Sequence, residues 1–266
     1  MLNFLDRIPA IILGLPVVLL SLSIHEASHA YAAYKLGDPT AKNLGRLTIN
    51  PLKHINIFGF ICMILFHIGW ANPVPINPRN FKDSKKGMAI SAAAGPLSNL
   101  CLAIISVILL RLVLIPIESI ADTYSTDLYY FWGSYGLSSD NTYWIHPELR
   151  ENATFVILSI LATMLTVSVA LNLNLMFFNL IPLPPLDGSR LALMFLDTNT
   201  YFNIMKYELY IQIAFIFLLG MGMITLPLNF LTGGVTDFFY NILGIKEDLL
   251  TVVNSEIYNR LPTFTF

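Results

Sequence analysis

The residues best suited to chemistry lie close together near the start of the chain, in the run H-E-x-x-H from His25 to His29. Helical residues four positions apart share one face, so both imidazoles can bind one metal ion while Glu26 holds a water molecule beside it. This pattern predicts a hydrolytic zinc site. The alternative is a polar cluster that binds no metal, but polar groups inside apolar segments usually have a function.

A catalytic zinc needs a third protein ligand and one open position. The best candidate is Asp187, which follows three prolines, Pro182, Pro184 and Pro185. Prolines cannot continue a helix, so we expect the chain to break here and to turn Asp187 back towards the histidines. The competing interpretation of this segment is an ordinary turn, because Asp-Gly is a common turn pair.

The composition indicates that the elements carrying these residues lie in a membrane. The chain has 266 residues, of which 55% are hydrophobic and only 12% are charged. This excludes an ordinary cytosolic enzyme, and the formal net charge of −2 argues against nucleic acid as a partner. Four segments are long enough to span a bilayer, at about 10–35, 88–115, 153–180 and 208–231.

The distribution of charge predicts the orientation of these spans. Eight of the fifteen Lys and Arg residues lie between Lys35 and Lys86, whereas 118–152 is acidic. Because basic loops stay on the cytoplasmic side, we expect a multi-pass protein of the cell membrane with its active site towards the cytoplasm. The apolar segment 55–70 has basic residues on both sides, which favours a re-entrant or short β-hairpin element over a fifth spanning helix.

The predicted fold class is therefore an all-α polytopic membrane protein. We expect a bundle of about four to five transmembrane helices with the re-entrant element at 55–70, forming a single metalloprotease domain over 1–231. The apolar residues after Gly233 predict an amphipathic helix in an interfacial C-terminal segment at 232–266. At a rise of 1.5 Å per residue, the histidines lie roughly 10–15 Å below the inner surface, and Asp187 reaches a similar depth.

Several motifs make the sequence resemble the site-2 protease family of intramembrane zinc metalloproteases, in its compact prokaryotic branch without a PDZ domain. Besides H-E-x-x-H, these motifs are N-x-x-P-x-P-x-x-D-G from Asn179 to Gly188, G-R-L-T-I-N-P-L-K-H at 45–54, N-P-V-P-I-N-P-R-N-F at 72–81 and A-G-P-L-S-N at 94–99. The resemblance covers about residues 10–195. It implies His25, His29 and Asp187 as zinc ligands and Glu26 as general acid and base. It also implies Asn179 as a substrate or oxyanion contact.

Three further polar residues have open roles. Asn99 lies in a predicted spanning helix, where it either forms a hydrogen bond to the active-site region, with a role in substrate binding, or joins helices, as asparagine often does in membranes. His54 and His67 border or enter the predicted re-entrant element. A lone histidine there is more often a satisfied polar group than a ligand.

The predicted function is hydrolysis of peptide bonds in membrane-spanning protein or peptide substrates within the lipid bilayer, with Zn²⁺ as cofactor. One alternative is a metal-ion transporter, since ionisable residues in broken helices also mark ion pathways. No internal repeats support that alternative. Another is an inactive relative that only binds membrane proteins, against which the intact Glu26 argues. The oligomeric state is open.

Overall fold

The structure is a computed structural model that describes residues 4–59, 62, 71–123, 152–245 and 250. The described residues form two compact units, one drawn from 4–17, 104–123, 152–169, 236–245 and 250, the other from 18–59, 62, 71–103 and 170–235. The histidines, Glu26 and Asp187 all belong to the second unit. That unit therefore contains the whole candidate site.

Eight α-helices make up most of the described chain. They are α1 (Phe4–Lys35), α2 (Thr40–Asn43), α3 (Ser84–Thr123), α4 (Ala153–Leu180), α5 (Asp187–Leu191), α6 (Thr198–Met205), α7 (Glu208–Gly220) and α8 (Thr225–Leu243). Short 3₁₀ turns at Pro51–Lys53 and Pro78–Asn80 begin at asparagines whose side chains accept the hydrogen bond of a turn N–H. Helix α1 ends before Gly37, which has a φ of +110° that few other residues adopt.

By length and apolar composition, two described helical segments can cross a membrane, Ser84–Ile120 and Ala153–Leu180. Helices α7 and α8 add a third span if they are taken together, but they meet at an angle of 69°. The second and third predicted spans are thus supported. The predicted span at 208–231 is broken after Gly220. The first predicted span, at 10–35, is helical, but that it crosses the membrane stays a prediction.

The predicted β-hairpin element is not confirmed. The residues described by the structure contain no strand, and their β contact is a single antiparallel bridge between Ile55 and Ala71. Residues 60, 61 and 63–70, including His67, lie outside the described residues. Helix α8 continues through the predicted boundary at 231–232. Residues 246–249 and 251–266, which include much of the predicted amphipathic helix, lie outside the described residues.

Each unit has its own apolar interior. In the first unit, Val107, Leu110 and Leu114 of α3 are buried, and the hydroxyls of Ser106 and Ser168 are 2.7 Å apart. In the second unit, small residues line the buried faces of α1 and α3, namely Ala30, Ala33, Ala89 and Ala92. Small side chains let membrane helices approach closely, and this approach positions the candidate site.

Candidate metal centre

Helix α1 places His25 and His29 one turn apart on a buried face. Their rings meet edge to face, with centroids 4.6 Å apart, and their Nε2 atoms are 3.1 Å apart. Both residues are buried, at 5% and 6% exposure. The spacing of four residues therefore directs both imidazoles to one point.

Asp187 supplies the third donor at that point. It is the first residue of α5, which follows the proline-rich break after α4. Its Oδ2 lies 3.1 Å from Nε2 of His25 and 3.2 Å from Nε2 of His29. The three donor atoms thus form a nearly equilateral triangle.

The triangle has dimensions that suit a metal ion. Bonds of about 2.0–2.1 Å in a tetrahedral zinc site place neighbouring donor atoms roughly 3.3 Å apart. The observed separations of 3.1–3.2 Å are close to that value. His25, His29 and Asp187 are accordingly a group that could hold a metal ion.

Hydrogen bonds at the far side of each ring orient the imidazoles. Nδ1 of His29 donates to the backbone carbonyl of Ser91, at 2.7 Å, and Nδ1 of His25 donates to Oδ1 of Asn99. Both Nδ1 atoms are thus used in hydrogen bonds outside the triangle, and both Nε2 atoms lie at its corners. Outer hydrogen bonds of this kind are typical of histidines that bind a metal.

A chain of buried amides extends from His25 to a third helix. Nδ2 of Asn99 donates to Oδ1 of Asn172 at 2.7 Å, and Nδ2 of Asn172 donates to the hydroxyl of Ser21 at 3.0 Å. Asn99 and Asn172 are fully buried. Asn99 therefore contacts His25 and also joins helices, whereas its predicted role in substrate binding stays a prediction. The polarity of Asn172 was visible in the sequence, but its partner was not.

Gly95 provides the space that the two rings occupy. A Cβ atom at this position would overlap Nε2 and Cε1 of His29 and Cε1 of His25. The glycine stands in a described helix, where it has a cost in stability, so close packing explains its presence. Gly95 belongs to one of the sequence motifs, but nothing in that motif indicates that the histidines lie against it.

Glu26 lies next to His25 in α1 and is partly buried. Its Oε2 accepts a hydrogen bond from the backbone N–H of Val74, at 2.9 Å. No pattern in the sequence indicated this contact, because every residue except proline has a backbone N–H.

The other predicted polar residues lie as follows. Nδ2 of Asn179 donates to the carbonyl of Leu175 in its own helix, at 2.9 Å. His54 is buried, and its Nε2 donates to the carbonyl of Thr48 at 2.8 Å. The hydrogen bond of His54 thus joins two parts of its own loop, between α2 and Ile55. The role of Asn179 in substrate binding stays a prediction.

Comparisons with known proteins match residues 13–221 to Peptidase family M50. The chain is 38% identical over 174 residues to a Bacillus subtilis (strain 168) protein named "Putative zinc metalloprotease YwhC", an alignment that covers 65% of this chain and 64% of that protein. It is 33% identical over 92 residues to "Putative zinc metalloprotease Rip2" of Mycolicibacterium smegmatis, an alignment that covers 33% of this chain and 35% of that protein. The chain thus spans less than two thirds of the length of these relatives. No solved structure matches the chain.

Proposed function

Because the chain belongs to peptidase family M50, which confirms its resemblance to the site-2 proteases, we propose that it is an intramembrane zinc metalloprotease. Its substrates are proteins or peptides that span the bilayer. The observation that carries the proposal is the triangle of donor atoms from His25, His29 and Asp187 beside Glu26. A site for hydrolysis needs both parts, a metal with an open position and a group that moves protons.

The proposed ligands are Nε2 of His25, Nε2 of His29 and Oδ2 of Asp187. Zinc, when bound, supplies a Lewis acid that activates water at neutral pH and polarises a carbonyl oxygen. Glu26 takes the proton of the attacking water and delivers it to the nitrogen of the leaving amine. Its Oε2 is held by Val74, so Oε1 is the oxygen that is left for this proton.

Asn179 is proposed to bind the substrate. One of the two hydrogens of its Nδ2 is used in the bond to Leu175. The second hydrogen is then left for a substrate carbonyl, and this bond would help to hold an unwound segment in extended form.

The decisive test of the function is Glu26→Gln. Glutamine keeps the shape of Glu26 but cannot move a proton, so we expect cleavage of a labelled single-span peptide to fall by roughly 100-fold or more. Bound zinc should stay at the wild-type level. The control is Glu208→Gln, at the exposed start of α7, which should leave cleavage unchanged.

Two results would contradict the proposal. Undiminished cleavage by Glu26→Gln would remove Glu26 as the general base. If the wild type cleaves none of a set of labelled single-span peptides, with or without chelator, but carries metal across vesicle membranes, the chain is a transporter instead.

We also propose that the active site opens towards the cytoplasm, since the basic residues after α1 mark the inner side. The test is labelling from outside intact cells of Lys42→Cys and of Ser138→Cys, each in a background of Cys62→Ser and Cys101→Ser. We expect label at position 138 and none at position 42. The opposite pattern would reverse the orientation and place the site nearer the outer surface.

A further inference from the structure

We propose that the backbone N–H of Val74 is a positioning group for Glu26, and that Arg46, Asn72 and Asp38 hold it in place. This inference rests on the proposed function, because it concerns the residue that moves the proton. It adds a segment remote in sequence to the catalytic arrangement, since Val74 lies 48 positions after Glu26.

The sequence around Val74 leaves one donor at this point. Pro73 and Pro75 have no N–H, so the N–H of Val74 is the single backbone donor of the three residues. It donates to Oε2 of Glu26 at 2.9 Å, and Val74 itself is buried at 6% exposure. A hydrogen bond to a carboxylate is stronger than one between neutral groups, so this contact can fix the direction of the Glu26 side chain.

The chain before Val74 is fixed by several hydrogen bonds. The N–H of Asn72 donates to the carbonyl of His54 at 2.7 Å, and its Nδ2 donates to the carbonyl of Ile55 at 2.9 Å. The guanidinium of Arg46 donates to the carbonyl of Asn72 at 2.6 Å. These bonds hold both backbone groups of Asn72, two residues before the donor.

The chain after Val74 is fixed by Asp38, which follows the end of α1. Oδ2 of Asp38 accepts a bond from the N–H of Asn77 at 2.7 Å, and Oδ1 accepts from Nδ2 of Asn80 at 2.6 Å. Asp38 is fully buried. Because α1 also contains Glu26, the same helix carries the proton-moving group and ends next to an anchor of its positioning segment.

The variants Val74→Pro and Val74→Ala separate the N–H from the side chain. Val74 already precedes a proline, which favours the extended backbone that a proline at 74 also adopts. Val74→Pro removes the donor, and we expect kcat to fall about tenfold or more, since a hydrogen bond to a charged group contributes about that factor. KM should stay within about twofold, because the interaction of Val74 with Glu26 affects the proton-transfer step rather than substrate binding.

Val74→Ala keeps the donor and loses packing against Ala30 and Ala41. It should therefore lose less activity than Val74→Pro. The matched control is Ile76→Pro, since no hydrogen bond from its N–H is found among the described residues, and it should keep wild-type kcat. An equal loss in Val74→Ala and Val74→Pro would assign the effect to packing and overturn the inference.

Amide hydrogen exchange tests the contact without activity. The segment Pro73–Pro75 has one exchangeable backbone amide, that of Val74, so its exchange can be followed in a short peptide by mass spectrometry. We expect protection in the wild type, loss of protection in Glu26→Ala, and unchanged protection in the control Glu208→Ala. Equal exchange in wild type and Glu26→Ala would overturn the inference. If Glu26→Ala loses protection but the wild type cleaves no peptide, the contact stands and the proposed function fails.

Discussion

Nδ1 of His25 donates a hydrogen bond to Oδ1 of Asn99, a residue 74 positions away in a different helix. The bond fixes the proton on Nδ1 and leaves Nε2 of His25 free to bind a metal. Nδ2 of Asn99 is in turn held by Asn172, which keeps the oxygen of Asn99 turned towards the histidine. The orientation of one proposed ligand thus depends on amides from two further helices.

The first prediction concerns Asn99→Leu. Without the acceptor, the ring of His25 is no longer held in the metal-binding form, and loss of such an outer partner typically costs about 10–100-fold in metal affinity. The measurement is competition for zinc with a chelator of known affinity. Ser98→Ala is the control, since the hydroxyl of Ser98 donates to the carbonyl of Gly95 in its own helix and has no other hydrogen bond to the described residues. Unchanged affinity in Asn99→Leu would show that Asn99 serves helix association alone.

The second prediction concerns the third ligand. The wild type should bind about one zinc per chain, and Asp187→Ala should bind it far more weakly, because a catalytic zinc needs three protein ligands. Metal content after purification at limiting zinc is the measurement. Asp197→Ala replaces an exposed aspartate ten residues later and should keep full content. Full occupancy in Asp187→Ala would remove this residue from the ligand set.

The third prediction concerns Gly95→Ala. The added methyl group would overlap the rings of both histidines, so we expect loss of zinc binding together with a destabilisation of about 1–3 kcal/mol, as for other overpacked sites. Zinc content and the midpoint of thermal unfolding in detergent are the two measurements. Gly220→Ala adds a methyl group where no atom lies within 4 Å and should change neither. Wild-type zinc binding in Gly95→Ala would mean that the rings can move aside.

The fourth prediction concerns Asp38 and pH. Burial raises the pKa of Asp38, but hydrogen bonds from Thr40, Asn80 and Asn77 outweigh it and hold the pKa below its ordinary value. A carboxyl whose pKa is lower in the folded state adds stability above its unfolded pKa, about 4, and this stability is lost as the pH falls through the folded pKa.

We therefore expect the thermal midpoint of the wild type to exceed that of Asp38→Asn by roughly 2–8 °C at pH 7. The difference should shrink as the pH falls below about 4, where the carboxyl of the unfolded chain gains a proton before that of the folded protein does. The exposed aspartate in Asp83→Asn serves as the control, with a small difference at either pH. A difference between wild type and Asp38→Asn that is constant with pH would exclude the charge of Asp38 as its source.

The sequence predicts those residues of the site whose position is determined by their neighbours along the chain. His25, Glu26 and His29 were predictable because four residues of helix bring them together, and Asp187 because prolines must end α4. Val74 was not predictable, since its N–H has no mark in the sequence. The carbonyl that orients His29 belongs to Ser91 and escapes prediction for the same reason.

The fold shows the same division. The helix at Ala153–Leu180 was predicted almost to its ends, because a long apolar run of this kind favours a single continuous helix. The break between α7 and α8 was missed because Met221, Met223 and Ile224 are as apolar as the helices around them. Gly222, with a φ of +75°, was the signal for the turn.

The Pro-Val-Pro stretch beside Glu26 also bears on self-digestion. Any protease with a piece of its own chain next to its catalytic groups risks cutting itself. Here the bonds Asn72–Pro73 and Val74–Pro75 have a ring nitrogen without hydrogen, which cannot form the backbone pairing that an extended substrate uses. The one remaining N–H, that of Val74, is occupied by Glu26 itself. The segment next to the proposed general base is therefore poorly suited to being cut at that site.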